Sequence, residues 1–153
     1  MRLRFPREPR AAPVAGSRSL LAARARIPAL VIGDAAVFLL FAVVGRQAHH
    51  ETLGPGDVAL TAVPFALGWF LVAPLVGAYR ARATATPGAM VRRTELAWLG
   101  AWPVTLALRW AFAGSVPEVA FATIILVANA VFLGVWRGVF AFMLARRGGP
   151  VLR

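Results

Sequence analysis

The 153-residue chain has no cysteine, one tyrosine, six acidic residues, and arginine as its only strong base. Without thiols there is no disulfide scaffold, thiolate zinc site, iron–sulfur cluster or Cys-x-x-Cys redox relay. Charged residues make up 15% of the chain and apolar ones 59%, against about 25% charged in an ordinary soluble domain. A chain this short and this apolar lacks the polar surface to cover itself in water. With a mean hydropathy of +0.71, a water-soluble enzyme is excluded as the leading reading. No Gly-x-Ser-x-Gly, His-Glu-x-x-His or phosphate-binding Walker loop occurs, so the expectation is a protein that is not an enzyme.

What the chain does have is four long apolar runs, at residues 28–45, 58–79, 95–114 and 118–144. Each approaches the roughly 20 residues needed to cross about 30 Å of hydrocarbon. They predict an all-α, four-helix transmembrane bundle over residues 28–144. A basic, mostly disordered leader (1–27) and a short basic tail (145–153) flank it. The first run reads as a retained helix rather than a cleaved signal. Asp34 interrupts it, and Gly45-Arg46-Gln47-Ala48-His49-His50 lacks the small residues that cleavage requires.

The arginines orient the bundle. Arg2, Arg4, Arg7, Arg10, Arg18, Arg24 and Arg26 precede the first run, and Arg80, Arg82, Arg92 and Arg93 lie between the second and third. Arg146, Arg147 and Arg153 follow the fourth, whereas Arg46 alone lies on the opposite side. By the positive-inside rule both termini are cytoplasmic, in the plasma membrane of a prokaryote. The net charge of +11 then reflects topology and an anionic leaflet, and nucleic acid is not expected as a partner. So one-sided a distribution also forbids dual insertion, and any homo-oligomer is expected to be parallel.

Charges inside hydrocarbon cost about 2.5–3.5 kcal/mol each on insertion scales and therefore mark sites. Three lie well inside the runs: Asp34, Arg109 and Arg137. Asp34 and Arg137 each sit about seven residues, or about 10 Å, from the cytoplasmic end of their helices. Equal depth and opposite sign predict a bridge between the first and fourth helices, either a proton or anion site or a structural pair. Arg137 shares its helix face with Ala130, Gly134, Gly138 and Ala141, a ridge suited to close packing. Arg109 is expected to snorkel toward Glu118. Trp69, at the middle of the second run, needs an acceptor for its indole N–H, and Pro64 and Pro74 suggest a kinked helix around it. Trp98, Trp102 and Trp110 read as interfacial anchors. On the outer side His49, His50 and Glu51 lack a third ligand, so no metal is expected. No histidine lies within a run, which removes haem, and no cofactor is expected.

Taken in order, Gly33-Asp34, Phe41, Gly45-Arg46, His49, Thr61-Ala62, Pro64-Phe65, Gly68-Trp69, Gly77, Tyr79, Trp98, Trp102-Pro103, Leu108-Arg109 and Trp136-Arg137 resemble the family catalogued as domain of unknown function 3054. The resemblance spans residues 28–144 and implies a small four-span prokaryotic membrane protein, without implying an activity. It departs at His50 and Val135, where the family pattern typically has glycine. The functional expectation is a small transporter or channel subunit with Asp34, Arg109, Arg137 and Trp69 in a polar interior. The alternative is an interaction or assembly subunit for another membrane protein.

Overall fold

The computed structural model describes residues 25–80, 83–84, 86–114 and 118–147. The leader up to residue 24, the loop 115–117 with Pro117, and the tail from residue 148 lie outside the described residues. Four helices account for nearly all the rest: α1 (Ile27–Ala48), α2 (Pro55–Leu75), α3 (Pro87–Ala113) and α4 (Val119–Arg147). Proline stands in the first turn of α1, α2 and α3, where its missing N–H has no helical partner to lose. Thr86 caps α3, its Oγ1 accepting from the Ala89 N–H at 3.2 Å. Gly114, at φ 70°, ends that helix.

Two helix boundaries depart from the apolar runs by four residues or more. Helix α3 begins at Pro87 rather than near Glu95, because the Thr86 cap and Pro87 start it before the hydrophobic stretch does. Helix α2 stops at Leu75 rather than at Tyr79. There Gly77, at φ 75°, turns the chain, and the Ala78 N–H donates back to the Ala73 carbonyl at 2.8 Å. The helix also runs without interruption through Pro64 and Pro74.

The helices form a closed ring, α1 against α2, α2 against α3, α3 against α4, and α4 back against α1. Paired contacts show that neighbours run antiparallel. Phe38 meets Trp69 while Phe41 meets Phe65. Gly68 faces Thr105 while Gly100 faces Val72. The Trp98 and Trp102 indoles donate to the carbonyls of Leu126 and Ala122, at 2.9 and 3.0 Å. Each helix buries a stripe at three- and four-residue spacing, such as Leu30, Asp34, Val37, Phe38, Phe41 and Ala42 on α1. That spacing keeps one helical face inward.

The exterior is apolar, and a few polar groups are buried within an otherwise apolar core. Ile32, Leu60, Leu75 and Val119 are 69–84% exposed, while Asp34, Thr94, Thr105, Asn129 and Arg137 are fully buried. An aliphatic exterior with the few polar side chains turned inward suits lipid as the solvent. Helices α1, α2 and α4 are long and apolar enough to cross a membrane. Helix α3 is equally long but carries Arg92, Arg93, Glu95 and Arg109.

Close approach depends on glycine at specific contacts. A Cβ on Gly68 would collide with Thr105 Oγ1 and lie 3.1 Å from the Thr105 backbone. Gly134 on α4 lies under the Glu95 carboxylate of α3, where an added Cβ would come within 2.7 Å of Oε1. We predict that Gly68→Ala, by wedging α2 from α3, lowers stability by about 1–3 kcal/mol. Gly45 has open space around it, so Gly45→Ala should leave stability unchanged or raise it by up to about 1 kcal/mol. Thermal unfolding of the two purified variants in one detergent checks the contrast; equal melting temperatures would refute it.

Candidate functional site

Asp34 of α1 and Arg137 of α4 lie in antiparallel helices, each on the buried stripe, and meet inside the ring. Both side chains are wholly shielded. Arg137 Nε donates to Asp34 Oδ1 at 3.0 Å and Nη2 donates to Oδ2, the two-point geometry in which a guanidinium fits a carboxylate. The third terminal group, Nη1, donates to the Ala78 carbonyl at 3.1 Å. Tyr79 Oη donates to Asp34 Oδ2 at 2.6 Å. The Trp69 indole N–H lies between the two, 3.1 Å from Asp34 Oδ2 and 3.0 Å from Tyr79 Oη. The guanidinium carbon stands 5.0 Å from the Trp69 ring centre and 4.7 Å from that of Tyr79.

Each local feature of the chain serves this centre. The turn at Gly77 folds Ala78 and Tyr79 back under the end of α2, so a backbone carbonyl and a phenol enter from a connection rather than a helix. Gly33 lets the indole of Trp136 pass where any Cβ would collide with it, which brings α4 down onto α1 beside the pair. A crevice lined by Gly33, Ala36, Val37, Leu40, Val131, Phe132, Val135 and Trp136 runs between α1 and α4 from that point. It is apolar, and Trp136 Nε1 is buried without a hydrogen-bond partner among the described residues.

Chemically, the centre is a neutralised cation–anion pair whose carboxylate accepts from three side chains. A guanidinium held this way can release one anionic group and take another of similar shape.

The sequence-derived candidates divide into three. Asp34, Arg137 and Trp69 come together. Arg109 does not join them: its guanidinium stacks over the Phe121 ring at 4.7 Å, and the expected approach to Glu118 is not seen. Glu118 is exposed, its carbonyl accepting from the Ala122 N–H at 2.8 Å. His49 caps the end of α1 and His50 takes a left-handed conformation at φ 55°. Among the described residues no three potential ligands gather around either.

Nearby Arg46 is the hub of the α1–α2 connection. It pairs with Glu51 at 3.0 Å and donates to the Thr52 carbonyl at 2.7 Å and to Thr61 Oγ1 at 3.0 Å. Trp98 is fully buried and Trp102 half-buried, both bonded across to α4. This corrects their reading as interfacial anchors, whereas Trp110 is 55% exposed. Sequence reasoning missed Ala78 and Tyr79 as site residues. The available signal was the chain's single tyrosine, two residues after a glycine within an apolar run.

The ring of antiparallel helices, apolar outside and with three helices long and apolar enough to cross a membrane, defines an integral membrane protein. The chain belongs to the family described as Protein of unknown function (DUF3054), whose model matches residues 31–140. That range encloses Asp34, Trp69, Ala78, Tyr79 and Arg137. No curated protein and no solved structure matches the chain.

Hydrogen bonds to charged groups contribute about 1.5–3 kcal/mol. We therefore predict that Tyr79→Phe, which removes only the hydroxyl on Asp34, destabilises the protein by that amount in detergent unfolding. Trp110→Phe, at an exposed position on α3, should shift the transition far less. An unchanged transition for Tyr79→Phe would remove the phenol from the centre.

Proposed function

We propose that this protein is a small, non-enzymatic transport or channel subunit of a prokaryotic plasma membrane. Its arginine-rich end and both termini face the cytoplasm, where positively charged segments are retained. The Asp34–Arg137 centre is an anion site occupied by the protein's own carboxylate. One observation carries this reading: a guanidinium inside a ring of apolar helices, wholly shielded, with Nε and Nη2 both filled by an internal anion.

Protonation of Asp34 converts its carboxylate to a neutral carboxyl and weakens its hold on the fork. The proton stays on the Asp34 carboxyl, while Nε and Nη2 of Arg137 become free for an incoming anion. Tyr79 and Trp69 hold the carboxyl in place, and the Ala78 carbonyl keeps the guanidinium oriented. At 153 residues one copy hardly encloses a complete pathway, so the reading implies a parallel oligomer. The alternative reading is an assembly subunit for a different membrane protein.

Chloride flux into proteoliposomes, driven by a proton gradient, tests the proposal. Wild type, Asp34→Asn and Arg137→Gln are compared after size-exclusion chromatography confirms equal folding. Arg137→Gln should abolish flux, and Asp34→Asn should conduct without responding to the gradient. Identical flux in all three sinks the anion-site reading.

A further inference from the structure

The outward faces of the four helices are not alike. Helix α1 presents Ile32, Leu39, Leu40 and Val44 to the exterior, and α4 presents Ile124, Val127, Val131 and Val139, the bulky aliphatic surface that suits lipid. Helix α3 also exposes bulky apolar side chains, Leu96, Leu99, Trp110 and Phe112, but among them stand Arg92, Arg93, Pro103, Ala107 and Ala111. It is also the one described helix of the four that is not apolar enough to count as a membrane span.

Met90 packs in one layer with Leu30 and Ala141. Two to five residues further along, Arg92, Arg93 and Glu95 are about 3–8 Å deeper, approaching the level of the buried ion pair. Glu95 has no hydrogen bond or ion pair among the described residues, and its Oε1 lies against Gly134 of α4.

We propose that the outer face of α3 is covered by a second, parallel copy of this chain. On a helical wheel Arg93 and Glu95 lie about 160° apart, on opposite flanks of the face centred on Leu96, Pro103 and Ala107. A two-fold axis along the membrane normal brings opposite flanks of two copies together. Arg93 of each copy thereby meets Glu95 of the other, at depths differing by only about 3 Å. The two exchanged ion pairs give Arg93 and Glu95 partners. Arg92, about 40° from the centre of the same face, extends past them toward the arginine-rich end. The small side chains at Pro103, Ala107 and Ala111 let the two α3 helices approach. The contact is isologous and closes on itself as a dimer. It stands independently of any anion transport, since it uses none of the residues of the buried centre.

Because the chain has no cysteine, single cysteines can be placed without background. Oxidation of native membranes should link Leu96→Cys to itself and Ala107→Cys to itself. Leu39→Cys on α1, Leu71→Cys on α2 and Val131→Cys on α4 should stay monomeric. A self-link at both α3 positions requires parallel copies, since an antiparallel copy would separate at least one of the two. In the Leu96→Cys background, Arg93→Glu or Glu95→Arg alone should lower dimer yield severalfold, and the two together should restore it. Equal linking at all five positions, linking confined to the controls, a link from α3 to a different protein, or no rescue by the double charge reversal would each overturn the proposal.

Discussion

Everything at the arginine-rich end of the bundle is organised around one constraint: a carboxylate and a guanidinium held together out of reach of water. In a low-dielectric interior neither charge is tolerable alone. Burial of such a pair is favourable only when geometry is good and the remaining polar positions are filled. Asp34 and Arg137 meet both conditions through Trp69, Tyr79 and the Ala78 carbonyl. The requirement reaches outward from there. It fixes the register of α1 against α4, explains the close pass of Trp136 over Gly33, and explains why the chain after Leu75 turns inward instead of continuing as helix.

The same pair divides the fold into two halves of different character. Toward the centre of the bundle, packing is aromatic and interlocked: Phe38 lies between Trp69 and Trp98, and Phe41 meets Phe65 edge-on at 5.0 Å. At the opposite end a second polar cluster, built on Arg46 with Thr52, Asp57 and Thr61, ties the short α1–α2 connection. The ring is thus held at one end by a buried ion pair and at the other by a partly exposed one. Helix α3 takes part in neither, and it is the helix whose outer face is least suited to lipid.

Much of this was legible from the amino-acid order, because membrane insertion turns composition into architecture. Four apolar runs predict four helices, and equal depth with opposite sign predicts that Asp34 and Arg137 meet. What stayed hidden depends on turns and on sideways packing. The fold-back at Gly77 requires a positive φ that no hydropathy pattern encodes, so Tyr79 read as the end of a span. Trp98 and Trp102 read as interfacial anchors because position along a run gives depth, whereas their burial depends on which helix lies alongside. Arg109 finds the face of Phe121 rather than Glu118, since an aromatic ring one turn into α4 is a partner that charge counting does not consider.

The central claim is that Asp34 and Arg137 act as a unit, each making the other tolerable. A double-mutant cycle in detergent-solubilised protein, with Asp34→Asn, Arg137→Met and both together, tests it most directly. Each single change leaves an uncompensated buried group and should destabilise by about 3–5 kcal/mol. The double variant should be clearly more stable than the sum of the two effects allows, with a coupling of about 1–3 kcal/mol. Strictly additive losses would contradict the account, because they would mean that the two charges answer to separate partners.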